Sequence, residues 1–528
     1  MPLPRLVTTA TATADTADPT DSVLLAVYAP FGGDAQLSTY PDGSAVDLAQ
    51  HPLLHNLLAV AKLGVHVAAL IDRVDQDTVL VEIPAGHPEQ MRVTSRWKQQ
   101  MDRPNTLSGF LQHAHTWQPQ AALVLAIEGH GAGFLPEIDR SQMTLAAITR
   151  RGQLAWRLNG RESPALPAVS PMLPAVSPML PAVSPMLPGG AMPLSTWAMG
   201  EGLRLARAAG VPKLAVLHLN NCFNMSVELL HTVAPHAGFA AGYINYNFFT
   251  AGQSYPWVFG QLRRAGQASA KQLAQWFSHG NERFLAAKGN HPTVGGVVDL
   301  RRMHEIAERL DDLADALLAA MRAVSGAARD AVVAKIQGSI VRAKQLDTPS
   351  GGGFELETPD EMTDLRSLAI ELQVPDFSPH PVRASAAALA NALDGIWQYG
   401  AHDRPWVDTS VDWDFSANDM AMNILLPDPL RSGRYDWRTP FYMNVNPDPS
   451  APAVQPHVIE LLKVTDWVDF LDEYHRGVTF VGLHAANVPV FPVYNAAFNP
   501  PQIGKATGKT DGSTAYQKPR RSAGKTAG

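Results

Sequence analysis

The chain has 528 residues, 46% of them hydrophobic and 17% charged, with a formal net charge of −7. That balance supplies a sizeable buried core over what length alone suggests are roughly two to four units, and it gives no bulk attraction to nucleic acid or to a membrane. The single cysteine excludes an intrachain disulfide and a Cys-clustered zinc site, and it fits a reducing compartment.

Residues Met1–Asp21 are rich in Thr, Ala and Asp and lack the apolar run of a signal peptide. The expectation is a flexible N-terminal extension (1–21) on a cytoplasmic protein. No stretch approaches the roughly eighteen uninterrupted apolar residues of a membrane span. Ser22–Tyr28 reads as a first strand, followed by a Pro-, Gly- and Asp-bearing loop over Ala29–Gly43. Val46–Leu63 has helical apolar spacing, Val65–Ile71 and Thr78–Ile83 read as strands, and Leu107–Trp117 as a helix. Ala121–Glu128 is a buried-strand run that ends in Gly129-His130-Gly131-Ala132-Gly133, where glycines let backbone approach a ligand. Strands alternating with helices predict a parallel α/β sheet.

Pro167–Leu187 repeats PAVSPML three times. Two prolines in every seven residues forbid both helix and central strand, so an exposed loop is expected. It reads as a tolerated repeat expansion, or else as a flap or processing linker. In a linker, Leu173-Pro174 and Leu180-Pro181 would be poor scissile bonds; Met172-Leu173 or Arg161-Glu162 would be better ones. Leu194–Ala209 is an amphipathic helix leading to the buried strand Leu214–Leu219, then Asn220, Asn221 and the lone Cys222. Helical spacing resumes over Met225–Leu230.

A cysteine between a strand's C-terminal end and a helix N-terminus sits where open α/β sheets place their sites. The helix dipole there favours a thiolate. The plainer alternative is a small buried hydrophobe. His130 leaves the end of another buried strand, and a Cys–His pair with an adjacent backbone amide is what acyl transfer requires.

Ala237–Ile244 should be the next strand. Five helical stretches follow: Lys271–Ala286, Leu300–Arg322 with Asp299 as its N-cap, Ala327–Lys344, Pro359–Leu372 and Ser385–Trp397. Asp408–Asp419 clusters four carboxylates among aromatics. Oxygen ligation of Ca²⁺ is open to it, but EF-hand spacing is absent, and a polar surface loop with no cofactor is the plainer reading. Met420–Leu426 reads as a strand and Val458–Tyr474 as a helix, with 495–528 a disordered basic tail.

The strand–His-Gly-x-Gly run from Leu123 to Gly133, and the strand ending in Cys222 with Glu228 six residues on, resemble the clostripain-like cysteine peptidases, relatives of the caspases. That family has Asp two positions before the Cys and Met two after it. Asn220 and Asn224 stand at those positions here, with Met225 one place late. Asn105–Leu111, Asp299-Leu300, Asp364-Leu365, Ile424–Pro427, Thr465–Trp467 and Phe470-Leu471 extend the resemblance loosely over about Ser22 to Gly477.

The resemblance implies a caspase-like, mostly parallel sheet flanked by helices (α/β/α). It implies a peptidase core over 22–290 with the Pro-rich loop 160–192 inserted, and a helix-rich C-terminal subdomain over 291–494. It implies a catalytic dyad of Cys222 and His130, with the backbone amides of Gly131 and Cys222 as oxyanion donors. It makes Tyr243–Trp257 a wall of the substrate pocket, so Asn220, Asn221, Tyr243, Tyr246 and Trp257 are the candidate substrate-binding residues. In the family the Asp before the Cys receives a basic P1 side chain. A buried cation needs a compensating carboxylate; Asn220 is not one, and Leu229–Asn281 holds no Asp or Glu. A neutral or apolar P1 residue is therefore expected, unless Glu128 or another loop supplies the charge.

The expected function is a cysteine endopeptidase acting on a protein or peptide, with autoprocessing or activation of a co-encoded effector suggested by the clan. No nucleic-acid or membrane partner is expected. The alternatives are an inactive caspase-like binding or scaffold protein, and a serine-type acyl hydrolase. The latter is disfavoured because Gly252-Gln253-Ser254-Tyr255-Pro256 lacks the final Gly of a nucleophile elbow.

Overall fold

The computed structural model describes residues 22–31, 47–73, 78–95, 101–129, 131, 133–134, 143–148, 154–158, 194–221, 223–244, 247, 251–289, 295–344, 362–394, 420–426, 459–477 and 488–490. The PAVSPML repeats, the Asp408–Asp419 cluster and both termini lie outside them.

Eight strands form the central sheet: β1 (Val23–Pro30), β2 (His66–Asp72), β3 (Val79–Ile83), β4 (Arg92–Ser95), β5 (Ala122–Glu128), β8 (Leu214–Asn220), β9 (Ala237–Tyr243) and β10 (Gly295–Asp299). Their spatial order is β10-β9-β8-β5-β1-β2-β3-β4. The five central strands pair in parallel, and the antiparallel β10 on one side and β3 and β4 on the other complete the sheet. The α/β/α expectation is met, and the edge strands β4 and β10 are additions to it.

Burial explains why the inner strands read as continuous apolar runs rather than alternating ones. Leu25 and Val27 of β1 pack on one face with α1 (Pro52–Lys62), α5 (Tyr255–Ala265) and α6 (Ala270–Gly289). Leu24, Ala26 and Tyr28 face the other way, against α2 (Pro104–Trp117), α3 (Thr196–Ala208) and α4 (Val227–Val233). Strands covered on both faces have no solvent side to mark with polar residues. Two of the helices on the second face begin where a serine side chain satisfies a free amide. Ser195 accepts from the Ala198 N–H at 2.9 Å and Ser226 from Leu229 N–H at 3.1 Å, each capping the helix that follows.

Beyond α4 lies a helical layer of α7 (Met303–Arg322), α8 (Ala327–Arg342), α9 (Leu365–Glu371), α10 (Val382–Leu393), α11 (Leu461–Val464) and α12 (Trp467–Tyr474), whose apolar faces join the α2–α4 core. Trp467 and Tyr474 are fully buried there, each contributing roughly 2–3 kcal/mol of burial. Asp299 accepts from the Arg301 N–H at 3.1 Å and caps a short 3₁₀ turn that runs into α7.

Two expected helices differ from the structure for local reasons. The stretch Pro359–Leu372 holds a strand, β11 (Met362–Asp364), and only then α9, because Asp364 accepts from the Ser367 N–H at 2.8 Å and starts the helix after itself. The single helix Val458–Tyr474 is two: Thr465 is extended and donates its hydroxyl back to Leu461 O at 2.9 Å, which ends α11. The strand within Met420–Leu426 is β12 (Asn423–Leu425), antiparallel to β11. Unforeseen in the sequence is a three-stranded antiparallel sheet of β6 (Met143–Ile148), β7 (Leu154–Leu158) and β13 (Val488–Val490).

Candidate active site

From β1 the chain runs to β2 on one side and to β5, β8 and β9 on the other. The strand order therefore reverses between β1 and β5, and open α/β sheets bind ligands outside the carboxyl ends of strands at such a point. The carboxyl ends of β5 and β8 meet in register: Glu128 pairs with Asn220, and Ala126 with His218. Position 130 lies two residues beyond the one and position 222 two beyond the other, so the chain enters both from neighbouring strand ends. His130, Cys222 and Tyr246 themselves lie outside the described residues.

Period two along β5 and β8 puts Glu128, His218 and Asn220 on one face, under α5 and α6. Glu128 is fully buried, and its Oε1 accepts from the Tyr255 hydroxyl and from Asn220 Nδ2, the latter at 3.0 Å. Asn247 Nδ2 donates to Asn220 Oδ1 at 2.9 Å, and Asn281 Nδ2 to Asn247 Oδ1 at 2.7 Å. The buried Tyr243 ring stands beside Asn281. A polar chain thus runs from β5 across β8 and the β9–α5 connection to α6.

Burial pushes the Glu128 carboxyl up to about 7, against the hydrogen bonds from Tyr255 and Asn220. Burial, then the neighbouring Glu128, raises the Tyr255 hydroxyl well above its ordinary value, so Tyr255 is a donor throughout the physiological range. His218 is fully buried, stacked on Phe277 at 4.6 Å and edge-on to Tyr255 at 5.7 Å. Burial lowers its imidazole to about 3, so it is neutral.

The backbone around positions 130 and 222 has unusual conformations. Gly129 (φ 102°) and Gly133 (φ 68°) adopt positive φ, and a side chain on Gly133 would stand 2.5 Å from Met362 Sδ. Phe223, buried and next to position 222, has φ 59°. That conformation is strained for a bulky residue and costs on the order of 1–3 kcal/mol. Asn423 holds it: its Nδ2 donates to Phe223 O at 2.7 Å and to Ile244 O at 3.0 Å, while its backbone N–H donates to Met225 O at 2.9 Å. Glu228, buried in α4, accepts from Leu425 N–H at 2.9 Å.

Of the residues singled out in the sequence, Asn220 belongs to the buried chain, Tyr243 is buried beside its Asn281 end, and Asn221 is buried next to Asn220, accepting from Asn224 Nδ2 at 2.8 Å. Gly131 is buried beside the β5 end. Trp257 lies elsewhere, on α5 against α6, with the Arg283 guanidinium 5.6 Å above its ring and the His279 ring 5.5 Å away. Sequence reasoning passed over Asn247, Asn281 and Asn423. For Asn423 a signal existed: one amide inside the apolar run Met420–Leu426 has to be buried and therefore has to be bonded.

No protein-family model matches the chain, and no curated protein does. Among solved structures it is similar to a secreted C11 cysteine protease from Bacteroides thetaiotaomicron, at 12% identity over 72% of this chain and 86% of that one, TM-score 0.43. It is also similar to an inactive zymogen C11 protease from Parabacteroides distasonis, at 10% identity over 78% and 93%, TM-score 0.45. A third similar structure is a secreted C11 cysteine protease from B. thetaiotaomicron in complex with an irreversible peptide inhibitor, at 10% identity over 77% and 90%, TM-score 0.43.

Proposed function

We propose that the chain is a cysteine endopeptidase that hydrolyses peptide bonds in a protein or peptide substrate through Cys222 and His130. The observation that carries this is the register of Glu128 with Asn220. It brings the two strand ends preceding the only cysteine and the glycine-flanked histidine side by side at the sheet's switch point.

In the proposed reaction the Cys222 thiolate attacks the scissile carbonyl carbon, and the C=O electron pair moves onto oxygen, facing the amides of Gly131 and Cys222. The C–N bond then breaks as the His130 imidazolium gives its proton to the leaving amine, leaving a thioester. Water, deprotonated by His130, attacks that thioester, and the C–S bond breaks to return the thiolate. No cofactor enters these steps.

P1 preference follows from the floor of the site. Both ends of the Asn220 amide are engaged, by Glu128 and by Asn247, and the carboxyl beside it is buried and only partly ionised near neutral pH. Among the described residues a basic side chain finds no accessible counter-charge there, so we assign a neutral or apolar P1 residue.

The test compares wild type with Cys222→Ala by peptide-substrate cleavage, intact mass and labelling with a thiol-directed peptide probe. The expected result is cleavage and labelling in wild type alone, with both proteins folded. Equal cleavage in both would remove Cys222 as nucleophile. A folded wild type that neither cleaves nor labels would instead leave a binding module.

A further inference from the structure

We propose that Asn423 is the positioning residue of the site, a side chain from a distant segment that sets the two loops carrying Cys222 and His130 in register with one another. The proposal presupposes the peptidase reading.

Asn423 sits in β12, 200 positions beyond Phe223, and is fully buried. Its side chain and its backbone are hydrogen-bonded to the loop after position 222 and to the end of β9, and its Oδ1 faces Gly133 of the other loop. The Nδ2 group carries two N–H donors and serves two carbonyls, Phe223 O and Ile244 O. Those two acceptors also fix the amide's orientation, since an oxygen in that place would face two carbonyl oxygens. The backbone N–H holds Met225 O, and a parallel bridge joins Asn423 to Ser226, the cap of α4. On its other side, Asn423 Oδ1 lies 3.3 Å from where a Cβ on Gly133 would stand, and Phe223 O lies 3.5 Å from the same point. Gly133 ends the His-Gly-Ala-Gly run. One side chain is therefore packed between the residue after position 222 and the residue closing the loop after position 130.

The energetics explain why an amide is required. Phe223 at φ 59° persists only if its surroundings over-determine it. A buried carbonyl without a donor loses its desolvation energy unrepaid, so removing Nδ2 penalises the strained conformation directly. The loop can relieve that penalty by letting Phe223 return to negative φ, and that rotation moves the adjacent residue, Cys222. Asn423 is a positioning residue that acts through Phe223.

β12 is itself rigidly held. Asp364 caps α9 with one oxygen and accepts from Ala421 N–H at 2.8 Å with the other, Leu365 N–H donates to Met422 O, and Glu228 accepts from Leu425 N–H. The amide is thus mounted on a strand held from the start of α9 and from α4 as well as from the loop itself.

The test uses the full-length chain and exploits its single cysteine, whose alkylation by iodoacetamide reports Cys222 alone. Asn423→Asp is isosteric but offers at most one O–H donor, and only when protonated, where two carbonyls need one each. Leu389→Ala, in the buried face of α10, serves as a control that loses stability away from both loops. The expected result for Asn423→Asp is a fall in kcat of about 10²-fold with KM changed by no more than about twofold. The pH profile of Cys222 alkylation is expected to shift as the thiolate loses its setting. Leu389→Ala should keep the wild-type profile and kcat at a temperature where it is folded. Should Asn423→Asp not fold, Asn423→Gln is read in its place. It keeps the donors on a side chain one methylene longer, and is expected to give a smaller loss of the same kind. A folded variant with wild-type kcat and alkylation profile overturns the proposal. Alkylation needs no proteolysis, so an inactive wild type overturns the peptidase reading, while an unshifted alkylation profile overturns the role of Asn423.

Discussion

Glu128 and Asn220 stand opposite one another in the parallel ladder of β5 and β8, and the Asn220 amide donates to the Glu128 carboxylate at 3.0 Å. The pair lies under α5 with no water-facing side, so each group defines the other's chemistry. The amide gives the carboxylate one of its two donors, and burial holds the carboxylate close to half-protonated at neutral pH. The hydrogen-bonded oxygen is Oε1; Oε2 has no partner among the described residues.

Glu128 therefore makes stability fall as pH rises. The folded protein holds this proton up to about pH 7, while an unfolded chain gives it up near the ordinary carboxylate value. Between those limits the folded state binds more protons than the unfolded one, so each step upward in pH weakens the fold, on the order of 3 kcal/mol across the window. His218 acts with the opposite sign. Its folded value near 3 lies below the ordinary one, so the unfolded chain takes the proton first, and stability falls as pH drops below the usual imidazole range. Glu128→Gln should remove the first slope and leave the second. Urea midpoints of the variant, measured from pH 5 to pH 8, should rise relative to wild type as pH increases. Parallel curves for the two proteins would mean that Glu128 titrates normally.

Gly133 offers a stability test of the packing around the loops. Its φ of 68° and the 2.5 Å that would separate an added Cβ from Met362 Sδ are two distinct obstacles to any side chain. Gly133→Ala should cost roughly 1–2 kcal/mol for the left-handed conformation, with an added collision that the flexible thioether partly relieves. Adding Met362→Ala should remove the collision and leave the backbone cost, though it opens space of its own at a fully buried site. Chemical denaturation of the single and double variants in a double-mutant cycle reads the coupling between the two positions. Simple additivity would show that the two residues do not meet.

How much of this was legible in the sequence depends on the range of the interactions. Continuous apolar runs at Ser22–Tyr28, Ala121–Glu128 and Leu214–Leu219 announced the central strands because a strand buried on both faces must be apolar along its whole length. The strand-end positions of His130 and Cys222 followed from the same runs. The β4 edge strand did not, since Arg92–Ser95 is short, Arg92 to Thr94 face solvent, and its ladder is specified by the neighbouring β3. The partners of Asn220 were equally hidden: Glu128, Tyr255 and Asn247 converge from β5, the start of α5 and the β9–α5 connection, with Asn281 of α6 behind Asn247, and no local spacing encodes that meeting. Glu128 could be named as a carboxylate able to reach the pocket, but its place beneath Asn220 comes from strand register alone.

That register also governs how the proposed P1 preference would be changed. Asn220→Asp places a carboxylate two positions before the cysteine, yet it sets that group against Glu128 across 3.0 Å. Two carboxyl groups at that separation cannot both ionise, so they share one proton and titrate as a pair. Part of the negative charge gained by the substitution is then cancelled by protonation. The single variant should cleave Arg and Lys substrates only slightly better than wild type and should be destabilised above neutral pH. In Glu128→Gln/Asn220→Asp the neighbour is an uncharged amide that can donate to Asp at position 220, so a single ionised carboxylate remains for a basic P1 side chain. The expected outcome is a clear rise in kcat/KM for Arg and Lys substrates over Leu and Met in the double variant, of about tenfold or more for a desolvated charge pair. Steady-state kinetics on matched peptide substrates of the three proteins read this directly. Equal P1 preference in all three would place the P1 side chain away from position 220 and withdraw the Glu128–Asn220 pair from specificity.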